Sequence, residues 1–222
     1  MSSEHIVGLT YADRLRLATE SRHQALREDL QAELLSLTTL LGPMSDGPEW
    51  PAGPAWLAAR HGRHACVISD GLSDPWVERD KPETGLGLEV YIESPDVIVT
   101  GEEALAGLAD TWLFPMLAEI SHTLAGNPSL CRKLRAGELS SLEFNIEHIK
   151  DGRGRVGALL NVSSRPLQLS GGEVRLVAVT LLTVGELHYL RGKGDAGRRQ
   201  LADKLQTSGV GHLSVLSRPE LI

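Results

Sequence analysis

The chain alternates between stretches of helical period and stretches of strand period. From Tyr11 to about Leu34, the residues Leu15, Ala18, Arg22, Ala25, Leu26, Leu30 and Leu34 mostly recur at intervals of three and four. Arg14, Arg16, Glu20, Arg27, Glu28 and Glu33 cover the other faces, so the stretch predicts an amphipathic helix. Leu34 to Leu41 reads either as its extension or as a separate strand, and Gly42-Pro43 ends either one. A Pro- and Gly-rich loop runs to Pro54, with Trp56 and Leu57 anchoring it. Ala65-Cys66-Val67-Ile68 is a short apolar run closed by the turn residues Ser69-Asp70-Gly71. Farther on, Leu86, Leu88, Val90 and Ile92 alternate with Gly87, Glu89, Tyr91 and Glu93, the pattern of a strand with one buried and one wetter face.

The second half repeats the alternation of elements. Thr100 and Glu103 have capping-box spacing and predict a helix start. Leu105, Leu108, Ala109, Trp112, Leu113, Met116, Leu117, Ile120 and Leu124 form the clearest helical stripe, kinked by Pro115 and ended by Gly126-Asn127-Pro128. His122 falls near its polar side. Leu142, Phe144 and Ile146 then alternate with Glu143, Asn145 and Glu147, and Asp151 to Gly154 turns the chain into a strand over Val156 to Val162. After a turn at Ser170-Gly171-Gly172, the apolar run Val174 to Leu182 suits a strand covered on both faces. A second capping box, Thr183 and Glu186, starts a helix that Gly192 and Gly194 break; Asp195 caps its continuation. His212 to Leu216 reads as a last strand. Together these elements predict a single α+β domain: a mixed, largely antiparallel sheet of about six or seven strands packed against helices.

Composition narrows the class. With 222 residues, 41% hydrophobic and 23% charged, the chain has the make-up of a globular domain with a substantial core. A net charge of −7 argues against nucleic acid as a partner, since a grip on phosphate backbones rests on clustered Lys and Arg. No stretch has the length of a membrane span, and the N-terminus lacks the pattern of a secretory signal, so the expected compartment is the cytoplasm. The two cysteines, Cys66 and Cys131, lack metal or redox spacing and read as buried thiols.

Candidate chemistry is sparse. His61 and His64 are spaced H-x-x-H, but no third ligand lies at a suitable interval, so no metal or other cofactor is assigned. Gly71-Leu72-Ser73-Asp74-Pro75 lacks the closing Gly of a nucleophile elbow, and Asp70 and Asp74 lack the further ligands of a calcium loop. Both aspartates read more simply as caps on turn amides, with Gly71 supplying an unusual dihedral. His188 and His212 are lone histidines with structural readings. No catalytic set is assigned; the alternative to a binding role is a small hydrolase or metal enzyme using His61, His64, Asp70 and Ser73.

The stretch VISDGLSDPW, its acidic connection and GLGLEVYIE resemble the Suppressor of fused domain, in particular its bacterial members. The helix WLFPMLAEISHTL and the ending HLSVLSRPEL follow in the expected order, so the resemblance covers roughly residues 50 to 220. It implies a Suppressor of fused-like α+β domain over residues 49–222, and the amphipathic helix and Pro/Gly loop of residues 1–48 read as packed on that same domain. It also implies a non-enzymatic domain that holds another polypeptide, a regulatory protein or, for an immunity protein, a polymorphic toxin. Animal members clamp their ligand between two domains, and only one is read here. On this view Asp70, Ser73, Asp74, Glu78, Asp80 and Glu83 are the partner-binding residues, facing a basic surface. Homodimerisation stays open.

Overall fold

The computed structural model describes residues 8–37, 49–53, 55–145 and 155–222. The element order is α1 (Tyr11–Leu30), β1 (Leu34–Ser36), β2 (Trp56–His61), β3 (His64–Ser69), β4 (Leu88–Ile98), α2 (Glu102–Ala106), a 3-10 turn (Gly107–Asp110), α3 (Leu113–Ala125), α4 (Pro128–Arg135), β5 (Ser140–Phe144), β6 (Val156–Leu169), β7 (Gly172–Leu182) and α5 (Val184–Thr207). The strands form one seven-stranded sheet in the order β1-β2-β3-β4-β7-β6-β5. All neighbours are antiparallel except β4 and β7, which run parallel with Val90 opposite Val177 and Ile92 opposite Val179. Two antiparallel meanders are thus joined through one parallel pair, which makes the expected mixed α+β sheet.

Helices cover both faces. Even-numbered residues of β4, Leu88, Val90 and Ile92, pack with Val67, Val177 and Val179 beneath α3, whose Leu113, Met116, Leu117 and Ile120 are wholly buried. The opposite face takes Leu26 and Leu30 of α1 over Leu57, Ile68 and Leu176, and Leu187, Leu190, Leu201 and Leu205 of α5 over Leu159 and Leu182. The result is a three-layer sandwich with the sheet in the middle. A central strand in such a sandwich has no wet face: Glu89 and Glu93 are as buried as the apolar residues between them, contrary to the alternation read from the sequence.

Several elements differ from expectation for local reasons. The Leu34 start is a short strand, with α1 ending at Gln31 in a left-handed conformation; residues 38–48, Pro54 and 146–154, which bear on the strand extension, the Gly42-Pro43 stop, the proline loop and the second hairpin, lie outside the described residues. Arg14, placed on an outer face by the helical pattern, is buried. The Thr100 capping box does not form, because Gly101 at φ 97° is the N-cap of α2 and no side chain caps it. The long stripe breaks before α3, so Pro115 falls in the first turn of that helix, where a missing amide hydrogen is tolerated, and no kink is needed there. His122 packs edge-on against Trp50 and Trp56, with ring centres 6.0 and 5.8 Å away. Residues 212–216 form no strand. The second capping box does form at Thr183 and Glu186, and α5 carries its break at Gly194.

Candidate functional site

The odd residues of β4 bring acidic and phenolic groups to the α1 side of the sheet, and each recruits a polar cluster. At the start of the strand, Glu89 lies under the β3–β4 connection. Its carboxylate accepts the amides of Gly71 and Ser73 at 3.1 and 2.9 Å, the Ser73 hydroxyl at 2.6 Å and the Ser69 hydroxyl. Thus Glu89 holds the turn that Asp70 and Asp74 were expected to cap. Gly71 adopts φ 132°, and a side chain there would meet Asp74 Oδ2 at 3.0 Å.

Asp70 and Asp74 turn instead to α1. Arg22, 1% exposed, donates Nε to Asp70 at 2.7 Å and Nη1 to Asp74 at 2.5 Å, with Glu89 3.7 Å from Nε. His23 meets the other Asp70 oxygen at 2.9 Å. Burial by itself would lower the Arg22 pKa, but Asp70, Glu89 and Asp74 outweigh it and hold the guanidinium charged. Burial raises the pKa of Asp74 and of Glu89 against the pull of Arg22. For Asp70, burial also raises, but the His23 hydrogen bond and Arg22 prevail and lower it. One buried cation therefore serves three buried carboxylates, which makes this cluster a structural joint between α1 and the loop.

In the middle of the strand, Tyr91 Oη accepts from Arg165 at 2.9 Å, and Arg165 is paired with Asp29 of α1 at 2.6 Å. At the far end, Glu93 is 3% exposed and surrounded by histidines from three segments. His61 Nδ1 lies 3.1 Å from both its oxygens, His64 Nδ1 2.8 Å from Oε1, and His212 Nε2 3.0 Å from Oε2. A carboxylate only accepts, so each imidazole donates, through Nδ1–H in His61 and His64 and through Nε2–H in His212. Burial would raise the Glu93 pKa, yet the hydrogen bonds from His212, His64 and His61 pull it down to about 2. The imidazoles themselves face solvent, with 44, 35 and 26% of their side chains exposed.

The side chains of the enzymatic alternative do not converge. His61 and His64 face each other at the hairpin end of β2 and β3, while Asp70 and Ser73 lie past the opposite end of β3. Among the described residues no nucleophile is hydrogen-bonded to the histidines either: Cys66, opposite Glu93 on β3, is wholly buried with its thiol pKa raised by burial, and the Ser214 hydroxyl donates to the Val179 carbonyl. Among the described residues no group of three or more His, Cys, Asp and Glu side chains is arranged to hold a metal ion. Likewise, no helix among them is long and apolar enough to cross a membrane.

The six residues expected to bind a partner separate into two sets. Asp70, Ser73 and Asp74 are buried beneath α1 and engaged as described, because Arg22 draws both carboxylates inward. Glu78 and Asp80 are exposed on the β3–β4 connection beside Val77, which is 61% exposed, and Glu83 is half-buried against Arg14 at 2.8 Å. Sequence reasoning missed His212 and Glu93 as partners of His61 and His64; the one local signal was a pair of acids, Glu89 and Glu93, on one face of an otherwise apolar strand.

No family model and no curated protein sequence matches the chain. Among solved structures, it matches one described as the Sufu–Fu complex with a TM-score of 0.54 and 15% identity, covering 91% of each chain. It also matches Drosophila Suppressor of fused with a TM-score of 0.49 and 15% identity, over 92% of this chain and 51% of that one. At this identity the first likeness establishes architecture: the chain has the α+β fold of a Suppressor of fused structure.

Proposed function

We propose that this chain is a non-enzymatic protein-binding domain of the Suppressor of fused type, with a polymorphic toxin as its partner and the exposed β3–β4 connection as part of the contact. The observation that carries this reading is the fold, shared over nine-tenths of both chains with a protein solved as a complex with another protein. Two features support it. The Glu89 and Arg22 clusters hold the start of the connection, residues 69–74, and Arg14 donates to the Trp76 and Val77 carbonyls at 3.1 and 3.0 Å, so Val77, Glu78 and Asp80 are presented on a tethered loop with less ordering entropy to lose on binding. The net charge of −7 favours encounter with a basic protein such as a nuclease.

The test is recovery of the partner from the native cell, its identification against neighbouring reading frames, and reconstitution from pure components. A stoichiometric complex that blocks the partner's activity is expected. In the Glu78→Lys, Asp80→Lys double variant, association slows and its salt dependence flattens. A reconstituted complex with unchanged association rates removes the loop from the interface; failure of any pure partner to form a complex removes the binding function.

A further inference from the structure

A second polar site lies on the α3 and α4 side of the sheet, where the parallel strands β4 and β7 begin. A cleft of about 530 Å³ is lined by Gly87, Arg132, Arg135, Ala136, Glu173 and Arg175. Three arginines from two layers of the fold line it, in a molecule whose overall charge is negative. None of the three has a carboxylate partner among the described residues, and the one acid in the lining, Glu173, accepts from Gln168 at 3.2 Å.

Helix termini explain only part of this. Arg132 and Arg135 sit in the last turn of α4, where cations answer the exposed carbonyls. Arg175 comes from β7, and the Ser164 hydroxyl of β6 holds its Nη1 at 3.2 Å. Arg135 is seated against Gly87, which adopts φ 73°; a side chain on Gly87 would come within 2.7 Å of Arg135 Nε. Glycine at that position therefore leaves room for the guanidinium. Like charges gathered in a concave site repel one another, and an anion with several acceptor oxygens relieves the repulsion while matching the forked donors.

We propose that the Arg132, Arg135 and Arg175 cleft binds a phosphate-class oxyanion, either free or as a phosphate monoester. The inference is independent of the toxin-binding reading. Its test is calorimetric titration of the whole chain with inorganic phosphate and with phosphoserine, against sodium chloride of equal ionic strength. Saturable binding is expected. It weakens at least tenfold in the Arg135→Gln, Arg175→Gln double variant and is unchanged in Arg16→Gln, an exposed control on α1. Tighter binding of phosphoserine than of inorganic phosphate marks the ester as the ligand, and the reverse order marks the free anion. The proposal is overturned if neither probe saturates, if the double variant binds as the parent does, or if the control weakens binding equally. Should the double variant fail to fold, the exposed single substitution Arg132→Gln, read by phosphorus line width under the same titration, decides in the same way.

Discussion

Arg22 shows how far one side chain reaches. It occupies a position in the apolar stripe of α1, four residues after Ala18 and four before Leu26, where a charged residue is tolerated only if buried acids await it. Replacing it by Ala leaves Asp70, Asp74 and Glu89 buried without their cation, so Arg22→Ala is expected to cost about 3–5 kcal/mol in urea denaturation. Glu93 is the second case. Its folded pKa of about 2 lies below the ordinary 4.5, so its contribution to stability is present above pH 4.5 and is lost as pH falls through 2. Acid titration of stability should accordingly show a loss across that window in the parent, and a flatter profile in Glu93→Gln. Neither partnership was legible in the sequence in full. The Arg in the stripe and the acids in the strand were visible, but their partners come from segments whose proximity only the tertiary fold decides.

Among the elements, the sequence spoke most clearly where a local interaction and the tertiary packing agree. Thr183 and Glu186 form the capping box that their spacing predicts, and Thr183→Ala should destabilise by about 1 kcal/mol. Thr100 and Glu103 have the same spacing, yet Gly101 serves as N-cap one residue later and Thr100 is exposed; Thr100→Ala should leave the melting midpoint unchanged. The pair of variants, compared by thermal denaturation, separates a motif in sequence from a cap in structure. The α3 stripe was legible because its apolar period is fixed by burial, whereas its start was not, since a 3-10 turn and Trp112 interrupt a pattern that remains apolar throughout. The segment around Ser214 misled for a related reason. Its alternation has the period of a strand, but it is spent on single tethers: the Ser214 amide to the Glu93 carbonyl at 2.8 Å and the Leu181 amide to the Ser214 hydroxyl at 2.9 Å. Farther along, the Arg218 guanidinium pairs with the buried Glu186 at 2.5 Å. Arg218→Ala strands that carboxylate, and amide hydrogen exchange should then accelerate through residues 212–222 and the first turn of α5.

For the molecule as a whole, the fold class could be read from element order and period, while the strand order could not, because periodicity says nothing about which strand lies beside which. The parallel contact of β4 with β7 is the feature that escaped, and it sets how the chain comes together. As synthesis proceeds, β4 is complete and zipped to β3 on one side while its other edge stays bare until β7 is made, on the far side of four helical segments and two further strands. That unsatisfied ribbon of amides and carbonyls, carrying Val90 and Ile92, is an invitation to pair with another nascent copy. Fragments ending ahead of Gly172 should consequently precipitate where the whole chain does not, and the slow, sequence-distant closure of this one ladder should govern the refolding rate.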